Sequence, residues 1–425
     1  MKPVLYLCLF LVGLQVQALP NPNHRNKHKK ERRHSVGHHG HVEGENLAHM
    51  RIAPSNAEFA FRFYKQVAKE GGNKNIFFSP LSLSTAFAML SLGARSNTLS
   101  QLRKCLAFNL TEMEEQEIHE GFQHLLQLLN DPHREIQLSM GNTLFIDERL
   151  KLQQKFLDDV TNFYHSEAVS MDFQNSEHAM KEINNYIKEK THGEFVDLLK
   201  SLNKNTQMIL TNYIYFKGYW EDPFQSYNTK DDDFFVEAEH SVKVKMMYKK
   251  AYYNIHRDKK LSCWVVEIPY KGNATAFFIL PDEGSMSQVE DALLQDTVLN
   301  WSLSLQLRKI NLYLPKFSIS GSYDVKKLFL KMGATDMFSD NADFSGVTKD
   351  ALLKVSKAIH EAKLNVNENG TEAAAVTMVE MVFMSAMIDP LEIKFNRPFL
   401  VMVFDKSTNG ILFMGKVVNP AATED

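Results

Sequence analysis

The sequence predicts one α+β domain behind a short leader and a basic tail. Three observations carry that prediction. The chain has 425 residues, 44% of them hydrophobic, enough for a large core. Helical spacings and β-type runs are interspersed without a strict βαβ alternation. No Pro/Gly/Ser-rich linker divides the chain after about residue 50. The expected divisions are a signal peptide over 1–18, a disordered His-rich basic tail over 19–51 and one folded domain over 52–425.

The leader reads from Lys2, an apolar run over 4–16, and Val16-Gln17-Ala18 as a small-residue cleavage site. That run is too short to span a bilayer, and no other stretch approaches ~18 uninterrupted apolar residues. The expectation is a secreted protein with no membrane partner. The tail after it has almost no apolar periodicity and should be disordered. Ser55-Asn-Ala-Glu58 then reads as a helix start, with Phe59, Phe61, Phe63 and Tyr64 as anchors. Ser79-Pro80 opens a second helix over 81–92 that is apolar nearly all round and therefore buried. Helical spacing recurs over 155–202, through Tyr164, Ile183, Tyr186 and Ile187. Strands are predicted over 138–145, 208–215, 263–270, 275–280, 312–315, 395–403 and 412–418. There is no internal repeat.

Charge and cysteine usage exclude several function classes. The net charge of −3 gives the body no general attraction for nucleic acid. Of three cysteines, Cys8 leaves with the leader. Cys105 and Cys263 are far apart in sequence and are expected as two buried thiols, so stability rests on the core. Gly410 to Val417 has the glycine and lysine spacing of a phosphate loop. Val417 stands where a magnesium-binding hydroxyl belongs, and the intervening residues are large and apolar, as in a buried strand. Neither a His-Glu-x-x-His nor a Gly-x-Ser-x-Gly pattern occurs. No cofactor is implied, and nothing supports an enzyme.

The most informative stretch is Glu-Asn-Gly-Thr-Glu-Ala-Ala-Ala-Val-Thr, residues 368–377. As a strand it places Thr371, Ala373, Ala375, Thr377, Val379 and Met381 on one face. The other face carries Glu372, Ala374, Val376, Met378 and Glu380. Such a segment can sit in a sheet, and its small residues also cost little in water. Composition alone serves a short helix equally well.

Context decides between the two. Gly370-Thr371-Glu372-Ala373-Ala374-Ala375 resembles the proximal hinge of the serpins, a family of serine-protease inhibitors. Phe395-Asn396-Arg397-Pro398-Phe399 and Phe413 to Pro420 are similar to the family's C-terminal signature. Asn75-Ile-Phe-Phe-Ser-Pro80 and Asn212-Tyr-Ile-Tyr-Phe-Lys217 match earlier blocks, so the resemblance runs from about Ile52 to Pro420. It points to the secreted branch that holds alpha-1-antitrypsin, antichymotrypsin, kallistatin and the hormone carriers.

The resemblance implies mixed β-sheets, about nine helices, an exposed reactive-centre loop and a monomer. It places the bond offered to the protease fourteen residues beyond the hinge glycine, at Met384–Ser385, with Phe383–Met384 as the alternative. The loop from Thr371 to Ile393 has no Lys or Arg, so a trypsin-like acidic pocket has nothing to grip. The expected partner is a chymotrypsin-like or elastase-like serine protease. After cleavage the loop inserts as a new strand and the protease stays trapped. A non-inhibitory loop on a hormone carrier is the competing reading. The resemblance also pairs Glu368 with Lys316 at the top of the sheet and puts Trp220 beneath them. Ser79, Ser82, Asn212 and His360 form the polar cluster where the central strands part.

Asn109, Asn273 and Asn300 head glycosylation sequons, and a fourth, Asn369-Gly-Thr, lies in the hinge, where a glycan would obstruct insertion. The tail leaves three readings open. It is a solvated arm, a heparin-type polyanion site through Lys27, Lys29, Lys30, Arg32 and Arg33, or a metal site through His34, His38, His39 and His41.

Overall fold

The computed structural model describes residues 48–109, 111–349, 352–371 and 390–422. Fourteen strands and nine α-helices form among the described residues, in a mixed α+β arrangement. Helix α1 (Ala48–Gly71) leads through β1 (Ile76–Phe78) to α2 (Pro80–Ser91), all twelve of whose residues are buried. Ser79 caps α2: its Oγ accepts the Ser82 backbone N–H at 3.2 Å. Pro80 at the first helical position costs no hydrogen bond. The all-round apolar sequence is therefore accounted for by a helix enclosed on every side.

Two sheets surround it. The larger orders its strands β1-β14-β13-β8-β7-β6-β9-β12, with β5 also paired to β6. Its members are β5 (Lys230–Glu237), β6 (His240–Asp258), β7 (Cys263–Pro269), β8 (Ala274–Pro281), β9 (Gln306–Pro315), β12 (Leu391–Lys394), β13 (Phe399–Asp405) and β14 (Gly410–Val417). The smaller sheet runs β10-β11-β4-β2-β3. It comprises β2 (Gln137–Asp147), β3 (Glu167–Met171), β4 (Met208–Lys217), β10 (Phe317–Asp324) and β11 (Lys357–Val366). Its inner face meets α2. Its outer face carries a separate cluster in which Ala179, Ile183 and Ile187 of α6 (Ser176–Lys190) cover Phe145, Ile209, Tyr213 and Ile359. The remaining helices are α3 (Ser96–Cys105), α4 (Glu115–Leu129), α5 (Gln154–Tyr164), α7 (Met286–Asp291), α8 (Gln295–Ser304) and α9 (Val325–Lys331).

Within the smaller sheet β4 and β11 run parallel and are directly hydrogen-bonded, from Lys357↔Ile209 to Lys363↔Tyr215.

Two expectations need correction. The helix expected to start at Ser55 is already helical from Ala48, so the tail boundary at residue 51 falls inside α1. Tertiary packing overrides the local start signal: His49 and Ile52 are buried, α1 packs along α4, and Pro54 is carried within the helix. The helical spacing over 155–202 is not continuous either, because β3 separates α5 from α6 and pairs in parallel with β2. Cys105 and Cys263 are free and buried, and burial pushes both thiols up to about 12.

Candidate functional site

The site begins where β11 ends. After Val366 the chain makes a tight turn in which Asn367 N–H donates to Gly370 O at 2.8 Å and Gly370 N–H returns to Asn367 O at 3.2 Å. Gly370 sits at φ 136°. A Cβ there would lie 2.2 Å from the Gly218 carbonyl oxygen and 2.7 Å from Tyr219 Cα. Only glycine fits both the conformation and the approach.

That turn is held against the end of β4 and the segment 218–224. The Thr371 N–H donates to Gly218 O at 2.6 Å, Trp220 N–H to Asn369 O at 2.8 Å, and Phe224 N–H to Glu368 O at 2.8 Å. Trp220 lies fully buried below the turn. Its Nε1–H donates to Asn367 O at 2.9 Å, and its ring stacks on Tyr270 with centroids 4.3 Å apart. Tyr270 in turn bonds Thr371 Oγ1 at 3.0 Å. Lys316 Nζ reaches Glu368 Oε2 at 2.8 Å, and the Thr229 hydroxyl donates to Glu368 Oε1 at 2.8 Å. Burial alone would raise the Glu368 carboxyl, but the Lys316 ammonium and the Thr229 hydroxyl hold it below the ordinary carboxylate value.

Lower in the same sheet a single row of polar side chains crosses four strands. Tyr323 of β10 stands opposite His360 of β11, His360 opposite Asn212 of β4, and Asn212 opposite Asn142 of β2. Directly opposed residues share a face, and this face looks at the start of α2. The Ser79 N–H donates to His360 Nε2 at 3.0 Å, so the ring proton sits on Nδ1 and is shared with Asn212 Oδ1. Asn212 Nδ2 then donates to Ser82 Oγ at 2.6 Å and to Asn142 Oδ1. The Tyr323 hydroxyl accepts the Phe77 N–H at 3.2 Å. His360 is wholly buried and burial lowers its pKa from 6.5 to about 3, so the imidazole is neutral. Close approach is built in: a Cβ on Gly321 of β10 would stand 1.9 Å from the Phe77 carbonyl oxygen.

The residues suggested by sequence thus fall into two groups. Glu368, Gly370, Thr371, Lys316 and Trp220 meet at the top of the β4–β11 pair; Ser79, Ser82, Asn212 and His360 meet at its middle. Asn142 and Tyr323 complete the second group and were not identified from sequence. A lone asparagine in the otherwise weakly polar β2 was the available signal for the first. Asn109, Asn273 and Asn300 are all exposed, whereas Thr371 of the hinge sequon is fully buried. Glu372, Ala373, Ala374, Ala375, Phe383, Met384 and Ser385 lie outside the described residues, as do Lys27, Lys29, Lys30, Arg32, Arg33, His34, His38, His39 and His41. Among the described residues no group of three or more His, Cys, Asp or Glu side chains could hold a metal. No described helix is long and apolar enough to cross a membrane.

A second feature bears on function. Phe61 of α1, Val298 and Leu299 of α8, and Phe277, Phe404 and Ile411 of the larger sheet line an apolar cavity of about 70 Å³.

Comparison with known proteins places this geometry. Residues 54–420 match the family model described as Serpin (serine protease inhibitor). The chain is 48% identical to alpha-1-antitrypsin of Sus scrofa over 91% of each chain. It is 49% identical to alpha-1-antiproteinase of Bos taurus, over 87% of this chain and 88% of that one. Among solved structures, human thyroxine-binding globulin in complex with thyroxine superposes with a TM-score of 0.84 at 43% identity. Human glycosylated kallistatin superposes with a TM-score of 0.83 at 44% identity. Each comparison covers 88% of this chain and 100% of the other.

Proposed function

The chain belongs to the serpin family, in its alpha-1-antitrypsin-like branch, and from that premise we propose that it is a secreted inhibitor that traps a chymotrypsin-like or elastase-like serine protease. The supporting observation is the parallel, directly bonded pair β4–β11 with the hinge leaving the top of β11. One slot between two parallel strands accepts one antiparallel strand, and the chain after Thr371 has the small alternating side chains that such a slot admits.

The steps follow from that arrangement. The protease attacks the Met384–Ser385 bond, and its serine keeps the Met384 acyl group as an ester while Ser385 departs as a new amino terminus. The severed segment from Thr371 onward enters between β4 and β11 and carries the protease with it. Entry requires release of the Glu368–Lys316 pair, the Asn367–Gly370 turn and the row through His360 and Asn212. Those groups therefore set the barrier. Stored free energy in the uncut state drives the change.

A carrier role has one observation in its favour, the likeness to thyroxine-binding globulin. The apolar cavity between α1, α8 and the larger sheet is far smaller than the ~300–1,000 Å³ of small-molecule sites, and this favours the inhibitor.

The test is incubation with chymotrypsin, chymase, cathepsin G and neutrophil elastase. A one-to-one complex that survives SDS, with the new amino terminus at Ser385, is expected. Release of only cut protein by every one of these proteases would remove the inhibitory reading.

A further inference from the structure

About 30 Å along β11 from the hinge, at ~3.3 Å per residue, the same sheet ends in a polar cleft of about 950 Å³. One wall is the segment 201–206 leading into β4, and the other is 354–357 leading into β11. Helix α9 closes the third side. Five lysines line it: Lys204, Lys326, Lys327, Lys354 and Lys357. Asp324 is the one carboxylate among the lining residues, and its Oδ1 already accepts the Lys326 backbone N–H at 3.2 Å.

Of the five lysines one is ion-paired and three are not neutralised in place. Lys354 pairs at 2.5 Å with Asp340, and Lys357 Nζ donates to Ser201 O at 3.1 Å, across the cleft. Lys326 Nζ stands 5.6 Å from the centre of the Phe338 ring. Lys204, Lys326 and Lys327 have no carboxylate within ion-pair distance among the described residues. On a chain of net charge −3, gathering these ammonium groups around one concavity costs repulsion that packing does not require. The polar lining of Asn203, Asn205 and Ser356 supplies further hydrogen-bonding groups.

We infer that this cleft binds a multiply charged oxyanion, a chain or ring bearing several sulfate or phosphate esters. Lysine without arginine suits separate point charges on a flexible ligand; a single planar carboxylate would favour the bidentate fork of arginine. The two walls are the segments that must part if β4 and β11 separate. Where the loop-insertion reading holds, an anion bridging Lys204 to Lys354 keeps the pair closed and slows trapping. The binding measurement stands without that reading.

The test uses the full chain in three forms: unaltered, Lys204→Gln/Lys326→Gln/Lys327→Gln, and a tail variant with Lys27, Lys29, Lys30, Arg32 and Arg33 all changed to Gln. Each is titrated with a heparin hexasaccharide and with inositol hexakisphosphate at two salt concentrations. The inference expects the cleft variant to bind at least one of these about tenfold or more weakly. It expects a salt slope shallower by roughly two to three, near one per lost contact, and an unchanged response in the tail variant. Heparin alone binding assigns a sulfated polysaccharide, and the hexakisphosphate alone assigns a phosphate ester. Unaltered affinity in the cleft variant, loss confined to the tail variant, or no binding of either ligand overturns the inference. Should the cleft variant not fold, hydrogen exchange on the unaltered chain decides. Ligand-dependent protection over 201–206 and 354–357 supports the site, and its absence refutes it.

Discussion

His360 shows how one buried side chain can tie stability to pH. Its ordinary pKa is 6.5 and its folded value is about 3. Between those values the unfolded chain takes up a proton that the folded chain refuses, because the wholly buried ring would have to carry its charge out of water. Stability is therefore complete above about pH 6.5 and falls as pH drops toward 3, with a slope of up to ~1.4 kcal/mol per pH unit from this group. Urea unfolding between pH 5 and 7.5, above the ordinary carboxylate range, should show that slope, and His360→Gln should reduce it to the share left by His49, whose pKa burial also lowers. At the top of the sheet Glu368→Ala should lower stability by about 1 kcal/mol. The effect is modest because the Lys316 side chain is 39% exposed, and a double-mutant cycle with Lys316→Ala should recover most of it as coupling. Gly370→Ala is the more severe change. It forces a side chain into φ 136° against Gly218 and Tyr219 and should cost ~1–3 kcal/mol. A denaturation midpoint equal to that of the unaltered chain would contradict the tight turn described.

At the scale of elements, the slot and the strand that fills it can be separated experimentally. Ala373→Arg leaves the Met384–Ser385 bond untouched and puts a long charged side chain on the hinge. A 1.4 kcal/mol penalty on insertion is a tenfold change in partition, so the ratio of proteases released to proteases trapped should rise about tenfold while the cutting rate stays the same. Stoichiometric titration against chymotrypsin reads this directly. The elements differ in how plainly the sequence announces them. Helix α2 and strands β2, β4, β7 and β8 are legible because each is dominated by apolar residues whose burial follows from the pattern. Strand β11 is not, since Lys357, His360, Glu361 and Lys363 interrupt it. Its place in the sheet centre depends on partners contributed by β4, β10 and α2. Strand β6 hides in the same way behind alternating lysines. The start of α1 is misplaced by its sequence because Ser55 imitates a cap, while the packing of Ile52 on α4 carries the helix back to Ala48. The site behaves alike: Glu368, Lys316, Ser79, Ser82, Asn212 and His360 come from family resemblance, and Asn142 and Tyr323 require the strand register.

Over the whole molecule, the polar row, the hinge turn and the basic cleft all sit on one seam, the β4–β11 pair. The hinge turn sits at its top, the His360 row at its middle and the lysines at its foot. On the proposed mechanism each must give way when the pair opens, and the uncut fold is then a state awaiting one more strand. The most direct measurement of that claim is thermal denaturation before and after nicking the loop with papain, which leaves no serine acyl-enzyme behind. Insertion should raise the melting temperature by tens of degrees, far beyond the ~2–4 °C that 1 kcal/mol gives in domains of 150–250 residues. An unchanged melting temperature in fully nicked protein would contradict the account.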